Sequence, residues 1–172
     1  MEPTAESVFV DVSIRKLELF LSRIRECVQK LNSEQIWMRH GEHENAVGNL
    51  MLHLNGNVRQ WIVSGIGGEP DRRMRDLEFT ARGDQDPAQL MGRLEGTVAE
   101  AVAVLKNFAP ERLVETYQPQ KYRITILEGV YSCVEHFAQH TAQIIFATKL
   151  LTGQEMGFYT HLSQPTHNEK TP

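Results

Sequence analysis

Apolar residues recur at Ile14, Leu17, Leu21, Ile24, Val28 and Leu31, in steps that alternate three and four. That spacing lays one stripe along one side of a helix. It predicts a helix over about Thr4 to Leu31, with the Thr4 hydroxyl as N-cap. A second stripe, Val47, Leu50, Met51, Leu54, Val58, Trp61 and Ile62, predicts a helix from about Asn45 to Ser64, stopped by Gly65, Gly67 and Gly68. A third is announced by Asp86 as cap, Pro87 at the first helical position and Gln89 completing a capping box. Its buried side is Leu90, Leu94, Ala101, Leu105 and Phe108, and Pro110 closes it. The fourth opens on the box Thr125-x-x-Glu128 and ends at Thr152-Gly153, where glycine suits a left-handed C-cap.

Four long helices without βαβ alternation predict an all-α fold, a four-helix bundle. Two connections are longer than such a bundle needs. Residues 65–85 mix Arg72, Arg73, Arg75 and Arg82 with Asp71, Asp76 and Glu78, and long connections of this kind tend to be functional. Residues 111–124 hold Val114, Thr116 and Tyr122 around Gln118-Pro119-Gln120, which suits a short hairpin. The polar end, 161–172, is expected to be a flexible tail, leaving 1–160 as one domain.

Composition narrows the function. A chain of 172 residues with 41% hydrophobic and 23% charged residues is globular rather than disordered. Its net charge of −4, without a basic helix, argues against nucleic acid as partner. No apolar run is long enough for a membrane span, and the acidic start lacks the features of a signal peptide. Cys27 and Cys133 lie far apart inside helical patterns, which suits reduced thiols and a cytoplasmic setting.

The chemistry centres on histidine. His136 and His140 are an i, i+4 pair, so their Cβ atoms lie about 5–6 Å apart on one helical face, close enough to converge on one ion. Gly129, Cys133, Gln143 and Ala147 share that face, and Phe137, Val130, Val134 and Ile145 border it, which sets the pair at the core edge. His53 lies in the leucine-rich stretch Met51-Leu52-His53-Leu54, where an imidazole needs partners for both ring nitrogens. A metal plus one acceptor would satisfy both. The alternative is a set of hydrogen-bonded core-edge histidines, with Asn49, His53, Asn57 and Gln60 as an ordinary polar helix face. His40, His43, His161 and His167 are weaker ligand candidates, and Cys133 reads as core filler or a fourth ligand. No acid stands out as a general base, because Glu135 points away from the His136 face.

The run from Glu42 to Ile62, EHENAVGNLMLHLNGNVRQWI, followed by His136-x-x-x-His140-x-x-Gln143-Ile144, resembles the DinB-like superfamily, and within it a bacterial subgroup catalogued as a domain of unknown function. The likeness covers about residues 5–155; Ala142 stands where many members have glycine. The resemblance implies an antiparallel bundle of the DinB/YfiT type and a divalent metal on His53, His136 and His140; imidazole ligands do not fix its identity, with zinc or nickel expected first and iron or manganese next. It also implies a homodimer. Some relatives use low-molecular-weight thiols, as bacillithiol transferases and a mycothiol-dependent maleylpyruvate isomerase do; others are metal-dependent hydrolases. A thiol S-transferase or related isomerase acting on a small-molecule substrate is therefore the leading expectation, with Arg59, Arg72 or Arg73 either holding carboxylates of the thiol or forming an ordinary solvated surface. A hydrolase is the second expectation, and a non-catalytic metal-binding dimerisation or stress module the third.

Overall fold

A computed structural model describes residues 2–83 and 85–160. It is mostly helical. Helix α1 spans Ala5–Val28, α2 Ser33–Trp37, α3 Val47–Val58, α4 Arg75–Thr80, α5 Pro87–Lys106 and α6 Ile126–Thr152. A π-helical segment, Arg59–Ser64, continues α3, and a 3₁₀ turn covers Pro110–Val114. The tail expected at 161–172 lies outside the described residues, as do His161 and His167.

The long elements form where the stripes place them. Thr4 Oγ1 accepts from the Ser7 amide and caps α1. Asp86 accepts from the amides of Ala88 and Gln89, with Pro87 following it. Gln89 does not reach back to close the box, so that cap is one-sided. Thr125 and Glu128 do close theirs: Thr125 Oγ1 accepts from the Glu128 amide, and Glu128 Oε2 accepts from the Thr125 amide. Gly153 ends α6 at φ 66°, a conformation a side chain would strain.

Helix α1 packs along α6 and α5, while α3 packs against α5, α4 and α6. Leu17, Ile24, Leu54, Leu94, Phe137 and Ile144 are fully buried between them. Helix α3 departs from the amphipathic pattern: Asn49, His53 and Asn57 are buried along with its apolar side. The polar strip is therefore an interior surface, and α4 covers it. Asn49 Nδ2 donates to the carbonyls of Glu78 and Ala81, while Arg39 bonds Asn49 Oδ1 and the Phe79 carbonyl. These bonds pin the 65–85 connection onto α3.

The hairpin expected in 111–124 is present in a short form. Strands β1 (Thr116–Tyr117) and β2 (Ile124–Thr125) pair antiparallel, Thr116 opposite Thr125. Among the described residues no helix is long and apolar enough to cross a membrane.

Candidate metal centre

His53 stands near the middle of α3, while His136 and His140 project from successive turns of α6. The contact between α3 and α6 brings all three together, and one ligand atom from each lies within 4.8 Å of the others. His136 Nε2 is 3.0 Å from His53 Nε2 and 3.1 Å from His140 Nε2. His53 is buried; the α6 pair is half-buried.

Each outer histidine has its proton placed by a neighbour. His53 Nδ1 lies 2.8 Å from Glu78 Oε2, so the proton sits on Nδ1, where it donates to the carboxylate. Arg73 Nη2, 3.1 Å from the same nitrogen, directs its hydrogen to Glu78 Oε2 at 2.9 Å. His140 Nδ1 donates to Gln143 Oε1 at 2.7 Å. Both Nε2 atoms therefore present lone pairs, and both point at His136 Nε2. One hydrogen on that atom can serve only one of them. His136 Nδ1 meanwhile is buried with no hydrogen-bond partner.

Such a set of donors fits a cation better than it fits itself. Metal–imidazole bonds of about 2.0–2.1 Å, opened by tetrahedral or octahedral angles, set donor nitrogens roughly 2.9–3.4 Å apart. The two observed spacings fall in that range. Three neutral nitrogens facing inward could hold a metal ion, with further coordination positions left for other ligands.

The electrostatics agree. Burial, reinforced by repulsion from His140 and His53, lowers the His136 pKa to about 4. Burial likewise lowers that of His140, against the raising effect of the Gln143 bond. Both are held in the neutral form that ligates. Burial alone would raise the Glu78 carboxyl, yet hydrogen bonds from Arg73 and His53 outweigh it and keep the group below its usual range. Glu78 is thus an ionised carboxylate behind a histidine, the partner that commonly orients a metal ligand.

Sequence reasoning missed Glu78 and misplaced Arg73. The Arg73 side chain is 5% exposed, paired through Nε to Glu78 Oε1 at 2.7 Å and through Nη1 to Gln60 Oε1 at 2.9 Å. It faces the Nδ1 side of His53, behind the cluster, and its guanidinium is engaged rather than free to hold a ligand's carboxylate. Arg59 is paired with Glu100 at the surface, and Arg72 is exposed. No bond to the cluster comes from either. Glu135 is exposed and accepts from Gln139, as its helical position implied. Cys133 is buried and outside the cluster; burial pushes its thiol up to about 12, so it stays protonated. Cys27 is buried core. His40 and His43 are not part of the cluster. A weak signal for Glu78 did exist: Asp76-Leu77-Glu78-Phe79 sets an acid between the two largest apolar residues of a charged stretch, Leu77 and Phe79.

Fold and site together define a mostly helical protein with three histidines able to hold a metal ion. Comparison with known families places it further. Residues 5–167 match the family described as Protein of unknown function (DUF1572), and the chain belongs to that family. It is similar in fold to a solved structure described as the crystal structure of the conserved protein of locus from Enterococcus faecalis. The TM-score is 0.68 at 15% identity, over 84% of this chain and 97% of that one. No curated protein matches the chain.

Proposed function

We propose that this chain is a DinB-like four-helix-bundle protein that binds one divalent ion on His53, His136 and His140 and acts as a metal-dependent thiol S-transferase. One observation carries the metal: two imidazole lone pairs converge on a third imidazole nitrogen that can satisfy only one of them. Zinc and nickel suit an all-imidazole set, with iron and manganese next. Residues 1–160 would form the single domain. The homodimer belongs to this reading on the resemblance alone, and the cytoplasmic setting on the two separated cysteines.

The ligand set favours activation of a nucleophile. Three neutral nitrogens leave the ion's charge uncompensated, and an ion so held lowers the pKa of a coordinated thiol or water toward neutrality. The chain's own contribution is orientation. Glu78 and Gln143 fix the tautomers of His53 and His140, and Phe79 packs on the His53 ring with centroids 4.7 Å apart.

Thiol transfer is favoured over hydrolysis because both acids weighed for the site are engaged elsewhere. Glu78 is bound by Arg73 and His53, and Glu135 lies in solvent beside Gln139. In addition of a thiol to an activated alkene the S–H proton would be lost and a C–S bond formed, and the resulting enolate would take one proton back from solvent, so the step closes without an acid held by the protein. Ester or amide hydrolysis needs a donor for the leaving group.

The test is metal content of tag-free protein by elemental mass spectrometry, beside the His136→Ala/His140→Ala double variant. About one ion per chain, lost in the variant, is expected. The metal-loaded protein is then screened with low-molecular-weight thiols against a panel of electrophiles. A folded wild type that takes up no zinc, nickel, iron or manganese overturns the metal. A loaded protein that transfers no thiol overturns the transferase and leaves the non-catalytic metal module.

A further inference from the structure

Arg75 opens α4, and Phe79, one turn on, lies on the same face of that short helix. The guanidinium carbon of Arg75 stands 4.9 Å from the centre of the Phe79 ring, and that ring packs on His53 with centroids 4.7 Å apart. Two ring contacts thus tether the guanidinium within about 10 Å of a candidate metal ligand. Arg73 reaches His53 from the Nδ1 side, whereas Arg75 comes by way of a ring stacked on the imidazole face. Its charge is also felt at His136, on the Nε2 side of His53. Burial and the neighbouring His140 and His53 chiefly lower that group, and the positive charges of Arg73 and Arg75 add to the effect.

The two arginines are spent differently. Arg73 gives Nε and Nη2 to Glu78 and Nη1 to Gln60. The ion pairs of arginine among the described residues take up Arg25, Arg59, Arg73 and Arg112, and Arg75 is in none of them. Arg75 is exposed. Stacking on an aromatic ring uses the flat side of a guanidinium and leaves its in-plane N–H donors free, and that fork matches a carboxylate. Resting on the ring also takes up part of the rotamer freedom that an exposed arginine gives up on pairing. Two acids of the same connection are already committed: Glu78 to Arg73 and His53, and Asp71 to Gln60 and the Arg73 amide.

We propose that Arg75 is a specificity-determining residue of the three-histidine site, pairing with a carboxylate on a ligand whose other end takes an open position on the ion. The ligand class is a small, metal-seeking molecule with a carboxylate a few bonds from its metal-binding head. This rests on the metal reading above, and on neither thiol transfer nor hydrolysis.

The probes are the monohydroxamates of succinic, glutaric and adipic acid, each beside the analogue in which an amide replaces the carboxylate. They are titrated into cobalt-loaded full-length protein, and the visible cobalt bands report binding without turnover. The head is the same within each pair, so the ratio of acid to amide affinity isolates the charge. Comparing that ratio between wild type and Arg75→Gln removes the attraction of the ion itself. In at least one pair the ratio is expected to fall roughly fivefold in Arg75→Gln. Arg75→Lys, which keeps the charge and loses the fork, should retain part of it. Arg72→Gln, at an exposed arginine of the same connection, should leave it unchanged.

A ratio that is the same in wild type and Arg75→Gln for all three pairs overturns the proposal and leaves the metal intact. An equal fall in Arg72→Gln overturns it too, because the effect then belongs to the charge of the whole connection. Loss of cobalt from Arg75→Gln makes the residue structural and overturns the proposal as well. A wild type that takes up no cobalt overturns the metal reading, and this proposal with it.

Discussion

His53 donates its Nδ1 hydrogen to Glu78 Oε2 across 2.8 Å, joining a long buried helix to a six-residue helix in the connection that follows it. The bond turns the other ring nitrogen into a fixed lone pair aimed at His136. Replacing Glu78 with Gln keeps the shape and removes the charge. We expect divalent-ion affinity to fall roughly 10- to 100-fold, as it does when such a supporting carboxylate is lost. Competition titration with a chromophoric chelator measures it, and an unchanged affinity would show that the carboxylate does not serve the site.

Arg73 and Glu78 form an ion pair that is buried on both sides. Removing one partner of such a pair leaves the other as an uncompensated charge. Arg73→Met should therefore destabilise the metal-free protein by about 3–5 kcal/mol in urea unfolding. Arg59→Met, at an exposed pair with Glu100, should cost under about 1 kcal/mol. Equal effects would mean that the connection does not hold Arg73 where the structure puts it.

Gly56 lies in the interior of α3, where alanine ordinarily gains about 1 kcal/mol. A Cβ there would run into Glu78 Oε1 and crowd Arg73 Nε. The contact is with a pinned ion pair, so the clash outweighs the propensity. Gly56→Ala is expected to lower Tm and speed amide exchange across residues 75–80; a raised Tm would contradict this.

The metal-free protein should lose stability in acid. His136 has a folded pKa of about 4 against an ordinary value near 6.5, so between these the unfolded chain binds more protons. This group's contribution is therefore fully present above about pH 6.5 and is lost as pH falls toward 4. Tm measured across that range should fall more steeply for the wild type than for His136→Phe. Parallel curves would remove His136 as the cause.

Zinc should stabilise what it binds. At a free concentration one hundred times Kd, linkage predicts about 2.7 kcal/mol. Thermal unfolding should show that gain in the wild type and none in the His136→Ala/His140→Ala variant.

The long helices were legible because each carries its own instructions. The seam from Ile14 to Leu31 is buried apart from a half-exposed Val28, and Asp86, Thr125 and Gly153 sit at the ends they were expected to mark. The spacing of His136 and His140 is local too, so one helix suffices to set it. What could not be read depends on partners far along the chain. Helices α2 and α4 have five and six residues, too few for a periodic stripe. Glu78 meets His53 over a separation of 25 residues, and Arg73 looks like any charged loop residue until the ion pair forms. Asn49 and Asn57 made α3 look amphipathic, because a buried polar strip and a solvated one have the same sequence; only α4 lying across it distinguishes them.

The short helix α4 also sets how the protein would report on its own loading. Its hold on α3 consists of Asn49 bonding two carbonyls, the Arg73 ion pair, and Glu78 on His53. An ion that pulls on His53 Nε2 strengthens the hydrogen bond on the opposite side of the same ring. Coupling of this kind is reciprocal: whatever docks α4 tightens the ion, and the ion tightens the docking by the same factor. Susceptibility to proteolysis between residues 65 and 85 is then a gauge of metal occupancy, readable on a gel without any assay of catalysis.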